Sequence, residues 1–316
     1  MKSSKSKPKI HVRKARASDR EAVFKFCKKT WSWGDYIPEV WDKWLKEKSG
    51  RVFIATIDRV PVGITHLSID KPHEVWLGGA RTDPNYRRMG VATAITKKCL
   101  EYAKHKGTKV ARLTTESDNI AAQAVIKKLG FKTTAEFVEM TTENIAEEEN
   151  STNSKWAEET ETDTAWNYLQ TSESYRKAAG LYTVLFHWFS LKKHDFKRFI
   201  EQRKAILHLS ARGEIDGLTL IDDATVREWH ENTMQTCMID GDYNAAVDMI
   251  KFFKSHCHAL GVKKIYGFTC NHKPITTALE KLGFEQPDSI EIIYEKKIWL
   301  KSKRKVPDKG FNMPYP

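Results

Sequence analysis

Ala80-Arg81-Thr82-Asp83-Pro84-Asn85-Tyr86-Arg87-Arg88-Met89-Gly90-Val91-Ala92 reads as a strand ending at Asp83-Pro84, a basic turn, and a helix opening at Gly90. Such a turn aims several backbone N–H groups at one point. Two arginines and the positive end of a helix add charge there. A phosphate or pyrophosphate is the natural guest. Gly90, without a side chain, and Ala92, with almost none, let it approach the backbone closely.

Upstream, Ile10 to Arg13 alternates as a first strand. Ser18-Asp19-Arg20-Glu21 has the form of a capping box and predicts a helix from Ser18. Trp31 to Ile37 is an aromatic turn. Pro38 suits the start of a second helix, with Trp41, Trp44 and Leu45 on one face and Gly50 closing it. Arg51 to Ile57 and Val62 to Ile69 form a hairpin turning at Asp58-Arg59-Val60-Pro61. The strand from Glu74 to Asp83 carries Gly78-Gly79, a pair that signals a bulge or a close backbone approach.

Downstream, Val91, Ile95, Cys99 and Tyr102 stripe the helix, and Gly107 caps it. A strand from Lys109 to Thr115 follows. Asp118 or Asn119 then caps a helix with Ala122, Val125 and Leu129 inward. Gly130 ends that helix before a strand from Phe131 to Met140. Glu143 to Asp163 is acidic and polar, as a linker would be.

The second half repeats part of the first. Gly107 to Gly130 and Gly261 to Gly283, separations of 23 and 22 residues, bound similar strand–helix units. Each follows a helix of similar size, Gly90 to Lys106 and Asn244 to Leu260. A duplicated fold is expected, with chance similarity of two common strand–helix units as the alternative.

The whole chain has 316 residues, is 40% hydrophobic and 30% charged, and can bury two cores. No apolar run is long enough to span a bilayer, and the N-terminus lacks a signal-peptide core, so a cytoplasmic location is expected. The five cysteines lack metal-like spacing and read as reduced thiols. His256-Cys257-His258 cannot converge on one ion, because neighbours on a helix point apart. No metal is expected. Part of the net charge of +12 lies in basic tails, read as solvated ends rather than nucleic-acid docking arms.

These blocks resemble the GCN5-related N-acetyltransferase (GNAT) superfamily. Arg87-Arg88-Met89-Gly90-Val91-Ala92 matches its pyrophosphate pattern after a strand ending in Asp-Pro. Asn119, Ala122 and Leu129-Gly130-Phe131 match its second block. Asp35-Tyr36-Ile37-Pro38, with Trp41, Trp44 and Gly79-Ala80-Arg81, is similar to the vertebrate histidine N-acetyltransferase group.

The resemblance implies an α/β mixed-sheet acyl-CoA N-acyltransferase fold in tandem, with acetyl-CoA as cofactor. The expected organisation is a basic tail at 1–9, a catalytic domain at 10–142, a linker at 143–165, a degenerate domain at 166–300 and a tail at 301–316. Arg87, Arg88, Met89, Gly90, Val91 and Ala92 would bind the pyrophosphate, Ala80 and Thr82 the pantetheine arm, and Asn119 the arm or the site's closure. The acceptor would be a small-molecule amine or amino acid. A protein acetyltransferase and a non-catalytic acyl-CoA-binding module are the alternatives.

Acetyl transfer needs a neutral amine, a polarised thioester carbonyl and a protonated leaving thiolate. A strand splayed at Gly78-Gly79 would offer N–H groups to the carbonyl. His66, His73, Glu74 and Glu116 are candidate bases; Glu74 precedes Gly90 by the spacing found for the base of histone acetyltransferases. Where the family often has a donor tyrosine stands Ile126, leaving Tyr102, a water or solvent to protonate the thiolate. Trp31, Trp33 and Tyr36 either line the acceptor site or pack the helix. In the second half the turn is Met238-Ile239-Asp240-Gly241-Asp242-Tyr243, whose aspartates would repel a diphosphate.

Overall fold

The computed structural model describes residues 8–28, 30–32, 34–145, 153–223 and 232–298. Trp33 and nearly all of both basic tails lie outside these ranges.

The first half runs β1 (His11–Lys14), α1 (Arg20–Cys27), α2 (Ile37–Lys46), β2 (Arg51–Ile57), β3 (Val60–Lys71), β4 (Glu74–Thr82), α3 (Val91–His105), β5 (Val110–Glu116), α4 (Ile120–Lys128) and β6 (Lys132–Thr142). The second runs β7 (Ser154–Trp156), α5 (Thr162–Thr171), α6 (Glu173–Lys177), β8 (Leu181–Val184), β9 (His187–Ser190), α7 (Lys193–Glu201), β10 (Ala205–Leu209), β11 (Ile215–Asp222), β12 (Thr233–Gly241), α8 (Tyr243–Ala259), β13 (Lys264–Cys270), α9 (Lys273–Lys281) and β14 (Glu291–Lys297).

Local chemistry shifts several expected boundaries. A 3-10 turn, Ala17–Asp19, precedes α1, and the Asp19 carboxylate, not Ser18, accepts the Arg16 N–H and pairs with Arg13. The β2–β3 turn tightens to Asp58-Arg59, both at positive φ, so Val60 already pairs with Ile57. The second helix stops at Lys46, before Gly50. Glu47 turns extended there, and its carboxylate reaches His66 at 2.7 Å. Part of the stretch read as a linker is structured: β7 pairs with β10, and Glu159–Glu161 forms a 3-10 turn into α5.

All strands but β8 and β9 form one 12-stranded sheet in the order β1-β2-β3-β4-β5-β14-β6-β13-β12-β11-β10-β7. The two halves exchange their last strands. β14 lies between β5 and β6 of the first half, and β6 pairs with β13 of the second. A pseudo-twofold relation between β6 and β14 follows. The parallel pairs, β4–β5 and β12–β13, occupy equivalent places on either side.

Helices α3 and α4 pack Ile95, Cys99 and Ile126 over one face of the first half, and α8 and α9 do the same for the second with Phe253 and Leu279. Helices α1 and α2 cover the other face of β2 and β3 through Val23, Ile37 and Trp41. The β8–β9 hairpin covers the centre of that face. Its Trp188, 1% exposed, packs on Trp76, Phe137 and Phe268 and so joins strands of both halves. Burial of such a ring is worth about 2–3 kcal/mol. All five cysteines are buried and unpaired; burial pushes the Cys27 thiol up to about 12.

Candidate active site

The site begins where two parallel strands part. β4 pairs with β5 only at Glu74↔Val110, Val75↔Ala111 and Trp76↔Arg112. Beyond Trp76, no described strand lies on that edge of β4, so N–H and C=O groups from Leu77 to Thr82 line an open cleft. The bulge expected at Gly78-Gly79 is present. Ile64 faces Arg81 and His66 faces Gly78, so Gly79 and Ala80 share one residue opposite, and Gly79 has φ +61°. A Cβ at Gly79 would strike the Trp44 ring, so only glycine lets α2 lie this close to the bulge.

At the far end of β4, Asp83 caps a short turn, Pro84–Tyr86, by accepting the Asn85 N–H. Arg88 is left-handed at φ 63° and Gly90 at φ +93°. Gly90 is the N-cap of α3 and has no side chain to satisfy the first-turn N–H groups. Arg87, Arg88 and Met89 are exposed, and neither guanidinium has a hydrogen bond or ion pair among the described residues, although the Arg87 N–H donates to the Pro84 carbonyl. Val91 is buried beneath the turn and anchors it, while Ala92 is half-buried. Free N–H groups, unpaired guanidiniums and a helix dipole form a cradle suited to a diphosphate. The adjacent open edge, including Ala80 and Thr82, suits an amide-bearing arm that adds to a strand.

The second half lacks the phosphate cradle, although β12 and β13 also part beyond Thr236↔Gly267. Asp242 caps α8 with its own carboxylate, accepting the Ala245 N–H at 2.9 Å. Asp240 is fully buried, held by Tyr168, Ser172 and Ser174. At the bulge of β12 the Thr183 hydroxyl covers the Cys237 carbonyl.

Several site residues proved to have structural partners. Asn119 caps α4, its Oδ1 accepting the Ala122 N–H at 3.2 Å, and only its amide N–H₂ remains for a ligand. Glu74 lies at the closed end of the β4–β5 pair. Its Oε2 accepts from Arg112 at 2.6 Å and from the Ser190 N–H at 3.2 Å. Arg112 also bonds Glu295 and the Ser190 hydroxyl and is 5% exposed, so Glu74 anchors the hairpin to the sheet. This commitment argues against Glu74 as the base. His73 is an exposed turn residue near the Gly107 carbonyl. Tyr102 stands about 18 Å along α3 from Gly90 at 1.5 Å per residue, and packs on Phe53. That packing sets the ring against β2, two strands from the open edge of β4, which argues against it as the donor.

An aromatic wall runs from the mouth to the bulge. Trp31 stacks on Tyr36, Tyr36 meets Trp44 edge-on, and Trp44 stacks on His66 at 4.3 Å. Burial raises the Tyr36 phenol above its ordinary range. Arg81 lies 4.3 Å from the Trp31 ring centre and is paired with Asp35. Across the cleft, on β5 and β14, Thr114 donates to Glu291 at 2.5 Å. Sequence reading missed Glu291, because its strand comes from the other end of the chain.

Comparison with known proteins agrees with this geometry. The profile of the Acetyltransferase (GNAT) family matches residues 19–131. An uncharacterized N-acetyltransferase of Methanocaldococcus jannaschii is 28% identical over 113 residues, covering 31% of this chain and 48% of that protein. Histidine N-acetyltransferase of Xenopus tropicalis is 31% identical over 96 residues, covering 29% of each. The chain thus spans about half or less of the curated relatives it matches.

Among solved structures, a GCN5-related N-acetyltransferase from Sphaerobacter thermophilus superposes with TM-score 0.60 at 9% identity, covering 92% of this chain and 96% of that one. A tandem GNAT protein from the clavulanic acid biosynthesis pathway gives 0.52 at 11%, covering 93% and 100%. These likenesses establish a tandem GNAT fold. With the profile matched across the phosphate turn and the Asn119 block, residues 19–131 are similar to the Acetyltransferase (GNAT) family, and the chain has a tandem GNAT fold.

Proposed function

We propose that this protein is an N-acetyltransferase that moves the acetyl group of acetyl-CoA to a primary amine of a small molecule or amino acid. The observation that carries this reading is the open β4–β5 cleft ending at an α3 N-terminus without a side-chain cap, flanked by two arginines whose guanidiniums have no partner among the described residues. Acetyl-CoA, when bound, supplies the activated thioester. The turn from Arg87 to Ala92 would hold its diphosphate. The edge of β4 at Ala80 and Thr82 would pair with the pantetheine amides, and the Asn119 amide N–H₂ would approach the arm. N–H groups at the Gly79 bulge would polarise the thioester carbonyl, which gains negative charge in the transition state. The thiolate would take its proton from solvent, since Ile126 offers none.

The aromatic cluster beside the cleft supports a small acceptor. Trp31 and Tyr36 stack on each other over Arg81, a cluster suited to contact a small amine, and similarity to a histidine N-acetyltransferase points to amino acids. Trp33 belongs to the same turn in sequence and is a candidate acceptor contact. No described helix is long and apolar enough to cross a membrane; a cytoplasmic site of action is part of the proposal.

The test is incubation of the full chain with acetyl-CoA and a panel of free amino acids and small amines, with products read by mass spectrometry. An acetylated acceptor is expected. Binding of acetyl-CoA without any acetylated product would favour a non-catalytic acyl-CoA module.

A further inference from the structure

We propose that Glu291, on the strand β14 lent by the second half, is the general base for acetyl transfer in the first half. The inference rests on the acetyl-transfer reading above.

The register places Glu291 at the cleft. After the last β4–β5 pair, Trp76↔Arg112, Gly78 and Thr114 are the matching positions on the two diverging strands, each two residues on. Gly78 lies opposite His66 and two residues from Trp76, so it belongs to the face covered by α2 and the β8–β9 hairpin. Thr114 is two residues from Arg112, which bonds Ser190 on that same face. β14 lies beside β5, with Glu291 opposite Glu116 and Ile293 opposite Thr114. The Glu291 carboxylate leans over β5 and accepts from the Thr114 hydroxyl at 2.5 Å. An amine attacking a thioester held at the Gly78-Gly79 bulge would therefore approach between that bulge and Glu291.

The surroundings suit the role. Burial, then the charges of Glu116 on β5, Glu139 on β6 and Asp118 after β5, push the Glu291 carboxyl up to about 7, against the Thr114 hydrogen bond. Tyr266 on β13 faces Glu139 and Glu291 and stays a neutral phenol beside them. Lys264 acts on Glu139. A base titrating near 7 exchanges protons readily at neutral pH. The carboxylates also attract an acceptor arriving as an ammonium ion.

In the step, Glu291 takes one proton from the ammonium and frees its lone pair. The nitrogen attacks the carbonyl carbon, the N–C bond forms and the C–S bond breaks. The remaining proton of the addition passes to the sulfur through solvent, and Glu291 then releases its own.

The experiment compares full-length wild type with Glu291→Gln across roughly pH 5–9, reading acceptor-dependent thiol release and acetyl-CoA affinity. The variant should bind acetyl-CoA as wild type does, lose on the order of 100-fold in kcat, and lose the acid limb of the pH profile. Glu291→Asp should retain a limb. Thr114→Val, which removes the bond that lowers the Glu291 pKa, should move the wild-type limb to higher pH. If Glu291→Gln fails to fold, this second variant decides alone, and an unmoved limb overturns the role. Wild-type turnover matched by Glu291→Gln overturns the role of Glu291 and leaves the acetyl-transfer reading standing. A wild type that releases no thiol with any acceptor overturns both.

Discussion

Asp35 grips Arg81 across 46 residues of chain, Oδ2 to Nε at 2.7 Å and Oδ1 to Nη2 at 3.3 Å. The same carboxylate accepts the Ile37 N–H at 3.1 Å and so fixes the start of α2. One buried side chain thus ties the start of α2 to β4 and holds the guanidinium beneath Trp31 and Tyr36. Asp35→Ala leaves a largely buried arginine without its partner, and the expected loss of stability is about 3 kcal/mol. Urea unfolding measures this. The acceptor KM should rise while acetyl-CoA affinity holds.

Glu74→Gln separates an anchor from a base. The substitution weakens the tie from Arg112 and Ser190 to β4, at a cost of about 1–3 kcal/mol. Thermal unfolding should show the loss, and the shape of the pH–rate profile should stay that of wild type. Disappearance of the acid limb in Glu74→Gln would restore this residue as the base.

The exchanged strands make the halves depend on each other. Residues 1–142 alone would lack β14, leaving β5 and β6 without the strand between them and Tyr294 and Ile293 missing from two cores. This fragment should show no cooperative unfolding transition, with calorimetry as the measurement. A cooperative fragment that binds acetyl-CoA would show that the first half stands alone.

Stability should carry the mark of Glu291. Its carboxyl is raised in the folded protein from the ordinary 4.5 to about 7. The folded state therefore binds this proton more tightly than the unfolded chain does. The contribution is stabilising below pH 4.5 and is lost as pH rises through 7. Relative to Glu291→Gln, wild type should lose on the order of 1–3 kcal/mol between those values. Urea midpoints of both proteins at the two ends check the sign.

Legibility in the sequence followed locality. The Gly78-Gly79 bulge and the α3 N-terminus were readable because glycine conformations and caps are set by neighbouring residues. Asn119 was readable as a cap, but not that the cap would occupy its carbonyl oxygen. The partners of Glu74 were hidden, because Arg112 and Ser190 reach it only once three strands are in register. The exchange of β6 and β14 was hidden for the same reason. Ile293 faces one core and Tyr294 the other, as a strand buried on both faces would show beside any neighbour. Glu291 therefore carried no local signal of its place at the cleft.

The central claim is that the first half transfers acetyl groups from a cofactor held at the α3 N-terminus. Its most direct measurement is continuous thiol release from acetyl-CoA by the full chain, with and without acceptor, for wild type and Gly90→Glu. A side chain at φ +93° is strained, and its carboxylate would sit against the diphosphate. Acceptor-dependent release by wild type that falls at least tenfold in the variant, at a cost of about 1.4 kcal/mol or more, is the expected result. Equal release by both proteins, or none by wild type with any amine, would contradict it.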